Sequence, residues 1–130
     1  MGWYTTGLQT ALTQNTWGQP YSIFARKDFT IDSLEGYTKA VINVRVDDGA
    51  VVYVNGKEVK RTNLATSYTQ VPWNAKATKA VSNAEGAIPM TFEIPASALS
   101  TGKNTIAVQE HGNSVFYNGV SFDLSATLQP

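Results

Sequence analysis

Residues 44–59 read Val44-Arg45-Val46-Asp47-Asp48-Gly49-Ala50-Val51-Val52-Tyr53-Val54-Asn55-Gly56-Lys57-Glu58-Val59. The pattern is two β-strands, each ended by a turn signal. Asp47-Asp48-Gly49 breaks the first strand. Asn55-Gly56 closes a hairpin after the second, because a two-residue type I′ turn needs positive φ at both central positions and Asn-Gly tolerates it. Asp47 or Asp48 would cap the first bend by accepting from nearby backbone N–H groups, with Gly49 supplying a special φ.

The same alternation extends outward. Residues 39–46 point Ile42, Val44 and Val46 one way and Asn43 and Arg45 the other, the period-2 signature of a half-buried strand. Residues 23–31 alternate likewise, with Phe29 and Ile31 sharing a face. Further strands are expected at 50–54, 57–61, 90–94, 105–110 and 120–128. In the last, Val120, Phe122, Leu124, Ala126 and Leu128 lie on one face. Residues 32–36 and 101–104 read as turns. Pro95 opens one short helical turn over 95–99. Residues 63–87 form the least regular stretch, long enough in a compact domain to suggest a functional loop. Residues 1–22 read as an irregular, aromatic-rich lead-in with one short strand near 8–12, and 23–128 as the core of one domain spanning 1–130. Many short alternating strands with Gly, Asn and Pro turns indicate an all-β sandwich. Strand count does not separate an immunoglobulin-like order from a jelly roll.

Composition narrows the partners. The 130 residues carry ten basic and ten acidic side chains, for zero formal net charge. That balance supplies no field for nucleic acid or an anionic membrane, and suits a neutral sugar or a protein surface. Cysteine is absent, which removes disulfides, thiolate nucleophiles and Cys-type zinc sites. The first residues do not form a signal peptide. The expectation is a domain of a larger extracellular protein, or one borne on a cell or virion surface.

Several segments resemble galactose-binding-like jelly-roll modules. Phe24-Ala25-Arg26-Lys27-Asp28-Phe29-Thr30 looks like the Phe-Arg-Lys-x-Phe strand of those modules. Residues 47–59 resemble the module's centre nearly residue for residue. Ile94-Pro95-Ala96-Ser97-Ala98-Leu99 and then Gly102-Lys103-Asn104-Thr105-Ile106-Ala107-Val108 resemble its closing segments, and Val120-Ser121-Phe122-Asp123-Leu124 its final strand. The match runs in one order over roughly 24–128. The resemblance implies a jelly roll, and a module of the kind appended to secreted carbohydrate-active enzymes and phosphatases. Many such modules bind carbohydrate; others act as spacers, so fold alone does not supply function.

Candidate site residues follow from chemistry. Trp3, Tyr4, Trp17, Tyr21, Tyr68, Trp73 and Tyr117 fall in segments read as loops or chain ends. Exposed rings offer flat apolar faces to a sugar, and neighbouring amides take its hydroxyls. Trp73, beside Asn74, is the foremost platform candidate, with Tyr68 and Tyr117 next. Trp17 reads as a lid on the sandwich, and for Trp73 lid and platform stand level. His111, the sole histidine, is a candidate for a sugar hydroxyl; a strand cap or an exposed strand end is its plainer reading. Asp47 and Asp48 are candidate calcium ligands. A related family of sandwich adhesins uses an Asp-Asp pair to hold a metal and a sugar, but the modules this chain most resembles do not, and the bend is the preferred reading. Asp123 is a third calcium candidate, since a late acidic residue joins a structural calcium in several jelly-roll modules; its plainer reading is a solvent-facing strand residue. No facing carboxylate pair, nucleophile elbow, zinc helix or phosphate loop is present, so catalysis is not expected. The expected function is non-catalytic recognition of a neutral poly- or oligosaccharide, without an obligate cofactor. The alternative is a structural or interaction module that binds no sugar.

Overall fold

In a computed structural model of the chain, the residues described are 3–6, 22–46, 49–72, 75–78, 90–112 and 122–130. They form eight strands: β1 (Trp3–Thr6), β2 (Ser22–Ile31), β3 (Lys39–Val46), β4 (Gly49–Val54), β5 (Lys57–Thr62), β6 (Met90–Pro95), β7 (Gly102–His111) and β8 (Phe122–Gln129). A single 3₁₀ turn, Ala96–Ala98, follows Pro95 as expected. The strands pair antiparallel in two four-stranded sheets, ordered β1-β8-β3-β6 and β2-β7-β4-β5. That order, with successive strands passing between sheets, is the jelly roll the resemblance implied. Among these strands only β4 and β5 are chain neighbours that also pair with one another.

Alternation explains the sandwich. Ala40, Ile42 and Val44 of β3, Ile94 of β6, and Leu124 and Leu128 of β8 turn inward from the first sheet. Ile31 of β2, Ala50, Val52 and Val54 of β4, and Ile106 and Val108 of β7 meet them from the second. Burying each of the larger aliphatic side chains contributes about 1.5–3 kcal/mol. Phe29 and Ile31 share the inward face, whereas Phe24 stands 65% exposed on the outer one.

The opening stretch folds as its turn residues require. Asn55 and Gly56 take φ of 49° and 82°, the positive pair of a type I′ hairpin. A bulge follows: Tyr53 pairs with Glu58 and Val52 with Lys60, so Val59 is the extra residue, and it packs toward the core. Asn55 also reaches beyond its turn. Its Nδ2 donates to the Ala98 carbonyl (3.1 Å) and to Asn104 Oδ1 (3.0 Å), and its Oδ1 accepts from the Thr105 N–H (2.9 Å). Asn104, 1% exposed, is satisfied in turn: its Nδ2 donates to the carbonyls of Ser100 (2.7 Å) and Gly102 (3.1 Å), and its Oδ1 also accepts from the Ser100 N–H (2.8 Å). The hairpin tip is thereby bolted to the β6–β7 connection.

Three expectations are corrected. Residues 3–6 are not irregular; they add an edge strand to β8, with Trp3 opposite Thr127 and Thr6 opposite Leu124. The turn read at 101–104 is shorter, because Gly102 already pairs with Ile31 and begins β7. Gly49 does not adopt positive φ. It is needed for space: a Cβ there would lie 2.9 Å from the Asn63 carbonyl oxygen and 3.1 Å from that of Thr62. The short strand read near 8–12 lies outside the described residues.

Asn55→Gly keeps the turn's φ freedom but removes the side-chain bolt. It is expected to lower unfolding free energy by about 1–3 kcal/mol, because buried Asn104 loses a partner; urea denaturation reads this, and a change below about 0.5 kcal/mol would assign Asn55 to the turn alone. Gly49→Ala forces the backbone at 62–63 to move and is expected to cost about 1–3 kcal/mol by the same assay.

Candidate functional site

The strap that covers the second sheet positions most of the polar groups. Both faces of β4 are buried at Val51 and Val52, each 0% exposed. Val52 faces the sandwich core. Val51 faces outward and is covered by Leu64, Val71 and Ala75 from residues 63–78, with Tyr53 packed alongside. An irregular segment laid on a sheet must still satisfy its backbone polar groups. Here strand side chains do so. Gln109 Nε2 donates to the Val71 carbonyl (3.1 Å), and Tyr53 Oη donates to Gln109 Oε1 (3.3 Å). His111 Nδ1 lies 2.7 Å from the Ala75 carbonyl. The backbone adds Ala77 N–H to Gly112 O (2.8 Å) and Thr78 N–H to Asn63 O (2.9 Å).

Arg61 holds the start of the strap. Its Nη1 donates to the carbonyls of Ala65 (2.8 Å) and Tyr68 (2.9 Å), while Nε (3.3 Å) and Nη2 (2.9 Å) donate to Glu58 Oε1. The chain at 65–68 is therefore wound around one guanidinium whose planar fork suits several acceptors at once. Tyr68 is fixed through its carbonyl, and the residue remains 38% exposed. Pro72 and Ala75 are joined by an Ala75 N–H to Pro72 O bond of 3.1 Å. Trp73 and Asn74 between them lie outside the described residues, as do Asp47, Asp48 and Tyr117.

His111 departs from its expected exposure. It ends β7 as read, but it is 0% exposed. A carbonyl only accepts, so Nδ1 carries the proton and donates to Ala75 O. Burial pushes the imidazole below its ordinary 6.5, and the Ala75 bond offsets part of that shift. Nε2 has no hydrogen-bond partner among the described residues. A ring with no accessible surface does not meet a sugar hydroxyl; in this fold His111 pins the strap. Its neighbour Glu110, also 0% exposed, alternates to the side of Ile106 and Val108. Asp123 pairs with Arg45 in the β3–β8 ladder. Among the described residues no three of His, Cys, Asp or Glu cluster.

Beyond the strap no described residue covers the outer face of the second sheet. Arg26, Ala107, Tyr53 and Glu58 stand in one cross-strand row, and Asp28 and Thr105 are paired in the next. Arg26, Tyr53, Asn55, Gly56, Thr105 and Ala107 line a shallow depression of about 320 Å³. Thr105 Oγ1 donates to Asp28 Oδ1 (2.7 Å), and Lys103 Nζ approaches Asp28 Oδ2 at 3.3 Å. These two contacts hold the Asp28 carboxyl below its ordinary value, the Thr105 bond foremost. Burial raises the Tyr53 phenol, with Glu58 adding to the rise and Arg61 opposing it, so the hydroxyl stays protonated to donate to Gln109. None of Arg26, Tyr53 or Ala107 was singled out as a site residue from sequence; the usable signal was an Arg, a small residue and an aromatic on three strands, visible only once the register is known.

The buried neutral imidazole makes stability depend on pH with a definite sign. The unfolded chain takes up a proton near 6.5 while the folded chain resists it, so His111's contribution is complete above about pH 6.5 and declines as pH falls below it. Melting temperatures of the protein and of His111→Asn, taken between pH 8 and pH 5, are expected to converge toward acid. Curves that stay parallel would remove His111 as the cause.

No protein-family model matches the chain, and no curated protein matches it. Among solved structures it is similar to a β-glucuronidase of an uncultured Clostridium sp., with 17% identity and a TM-score of 0.49, over 84% of this chain and 19% of that one. It is also similar to a family 35 carbohydrate-binding module from an environmental isolate, with 16% identity and a TM-score of 0.41, over 98% of this chain and 85% of that one. The chain thus spans about a fifth of the length of the β-glucuronidase.

Proposed function

We propose that this domain is a non-catalytic carbohydrate-binding module that recognises a neutral poly- or oligosaccharide through loop aromatics, as an accessory part of a larger extracellular or surface-borne protein. The observation that carries this reading is Tyr68: an aromatic residue left 38% exposed while Arg61 holds its carbonyl from beneath. An aromatic presented on an ordered backbone meets a sugar ring with little further loss of chain entropy. Trp73 and Tyr117 join Tyr68 as platforms in this reading, and Asn74 supplies an amide for hydroxyls. The clamp at 61–68 and the docking of Val71 and Ala75 keep the flanking backbone in place.

A second reading has its own observation. Phe24 stands 65% exposed on β2, an edge strand of the second sheet. An exposed phenyl on an unpaired edge suits packing against a neighbouring domain, as in a structural module without sugar affinity.

Retention of the purified domain on insoluble polysaccharide separates the two. Tyr68→Ala and Trp73→Ala are each expected to weaken retention by about tenfold or more while melting stays cooperative, since a stacked aromatic contributes on the order of 1–2 kcal/mol. Full retention by both variants would remove the platform assignment. Silence across a broad glycan array, together with a Phe24-dependent contact in the full-length protein, would favour the structural module.

A further inference from the structure

The open half of the second sheet carries a charge that no described residue pairs. Among the described residues, the cations Arg26, Arg61 and Lys103 and the carboxylates Asp28 and Glu58 stand on this face. Asp28 is bound by Lys103 and Thr105, and Glu58 by Arg61. The Arg26 guanidinium makes no hydrogen bond or ion pair among the described residues; it acts on Asp28 through its field. The surplus is one exposed guanidinium at the rim of the depression.

The floor beside it is shaped by the smallest side chain of the row. Ala107 lies between Arg26 on β2 and Tyr53 on β4, paired with both. Two strand spacings set the flanking backbones roughly 10 Å apart, and the methyl group between them leaves a slot. Tyr53 forms one wall. Its ring is held by packing on the strap cluster and by the hydroxyl's bond to Gln109. Arg26 forms the other wall, with donors suited to a paired-oxygen acceptor.

We infer that this depression is a second glycan site, separate from the loop aromatics, which takes a sugar ring bearing an anionic carboxylate or sulfate. The ring lies along Tyr53, and the oxyanion meets the Arg26 guanidinium across Ala107. The site rests on the reading of the domain as a glycan-binding module, and it adds an acidic sugar to the neutral one. Zero net charge does not oppose this, because selectivity at contact range follows the local surplus and the sum over the chain governs only the far field.

Affinity electrophoresis of the full chain tests it, in gels containing polygalacturonate, dextran sulfate or a panel of neutral glycans. Retardation by at least one of the two anionic polymers is expected, weakening as salt rises. Which polymer retards more tells carboxylate from sulfate. Arg26→Gln is expected to raise the dissociation constant about tenfold or more, as for loss of a charge-assisted bidentate contact. Lys39→Gln, an equal charge loss on the first sheet, is expected to change it less than about twofold. Equal losses in the two variants, or no loss in Arg26→Gln, would overturn the site as non-specific attraction. Retardation by neutral glycans alone would overturn this inference and leave the proposed function standing. Silence toward every polymer would overturn both.

Discussion

The second sheet depends on covering the outward face of β4. Val51 and Val52 are neighbours in sequence, and strand geometry sends them to opposite faces, yet neither has accessible surface. The sandwich buries Val52. Among the described residues, Leu64, Val71 and Ala75 of the strap cover Val51. That strap brings unpaired backbone carbonyls against an apolar surface, where each orphan would cost about 1–3 kcal/mol. Gln109, His111 and Arg61 supply the donors. The buried polar residues near the end of β7 are therefore the condition on which Val51 stays dry.

The same constraint divides the surface. Where the strap crosses, the sheet is dry and its polar residues are committed to the chain itself. His111 and Gln109, at 0% and 3% exposure, are buried away from a ligand. Near the start of the strap, Tyr68 is displayed on a held backbone, and Ala107 and Thr105 line the depression beside Tyr53. Tyr53 belongs to both regions, packed on the strap on one side and lining the depression on the other. Ligand contact on this sheet is thus directed to the strap's exposed aromatic and to the uncovered rows.

Particular residues mark how far the chain could be read in advance. The β4–β5 hairpin was legible because Asn55-Gly56 acts on its own φ angles. The paired β3 and β8 faces were legible because Ile42, Val44, Leu124 and Leu128 keep a strict period of two. The strand at 3–6 was not, since four residues without alternation carry no signal until β8, more than a hundred positions away, pairs with them. The unbroken apolar run Ala50-Val51-Val52 did hold a hint, because a strand buried on both faces loses its alternation. It pointed to a cover over β4 without saying which segment supplied it.

Asn55 separates the two kinds of information. Sequence alone determined that an Asn-Gly turn stands there and that an all-β chain surrounds it, because both follow from local dihedral preference and side-chain period. It also determined that no cysteine chemistry operates. Only the tertiary structure decided that the Asn55 side chain bolts the turn to residues 43 to 50 positions further along, that His111 is buried beneath the strap, and that Arg26 faces Tyr53 across Ala107. Those relations depend on which strands lie side by side and in what register. Register is set by the summed burial of whole faces, a quantity that no short stretch of sequence contains.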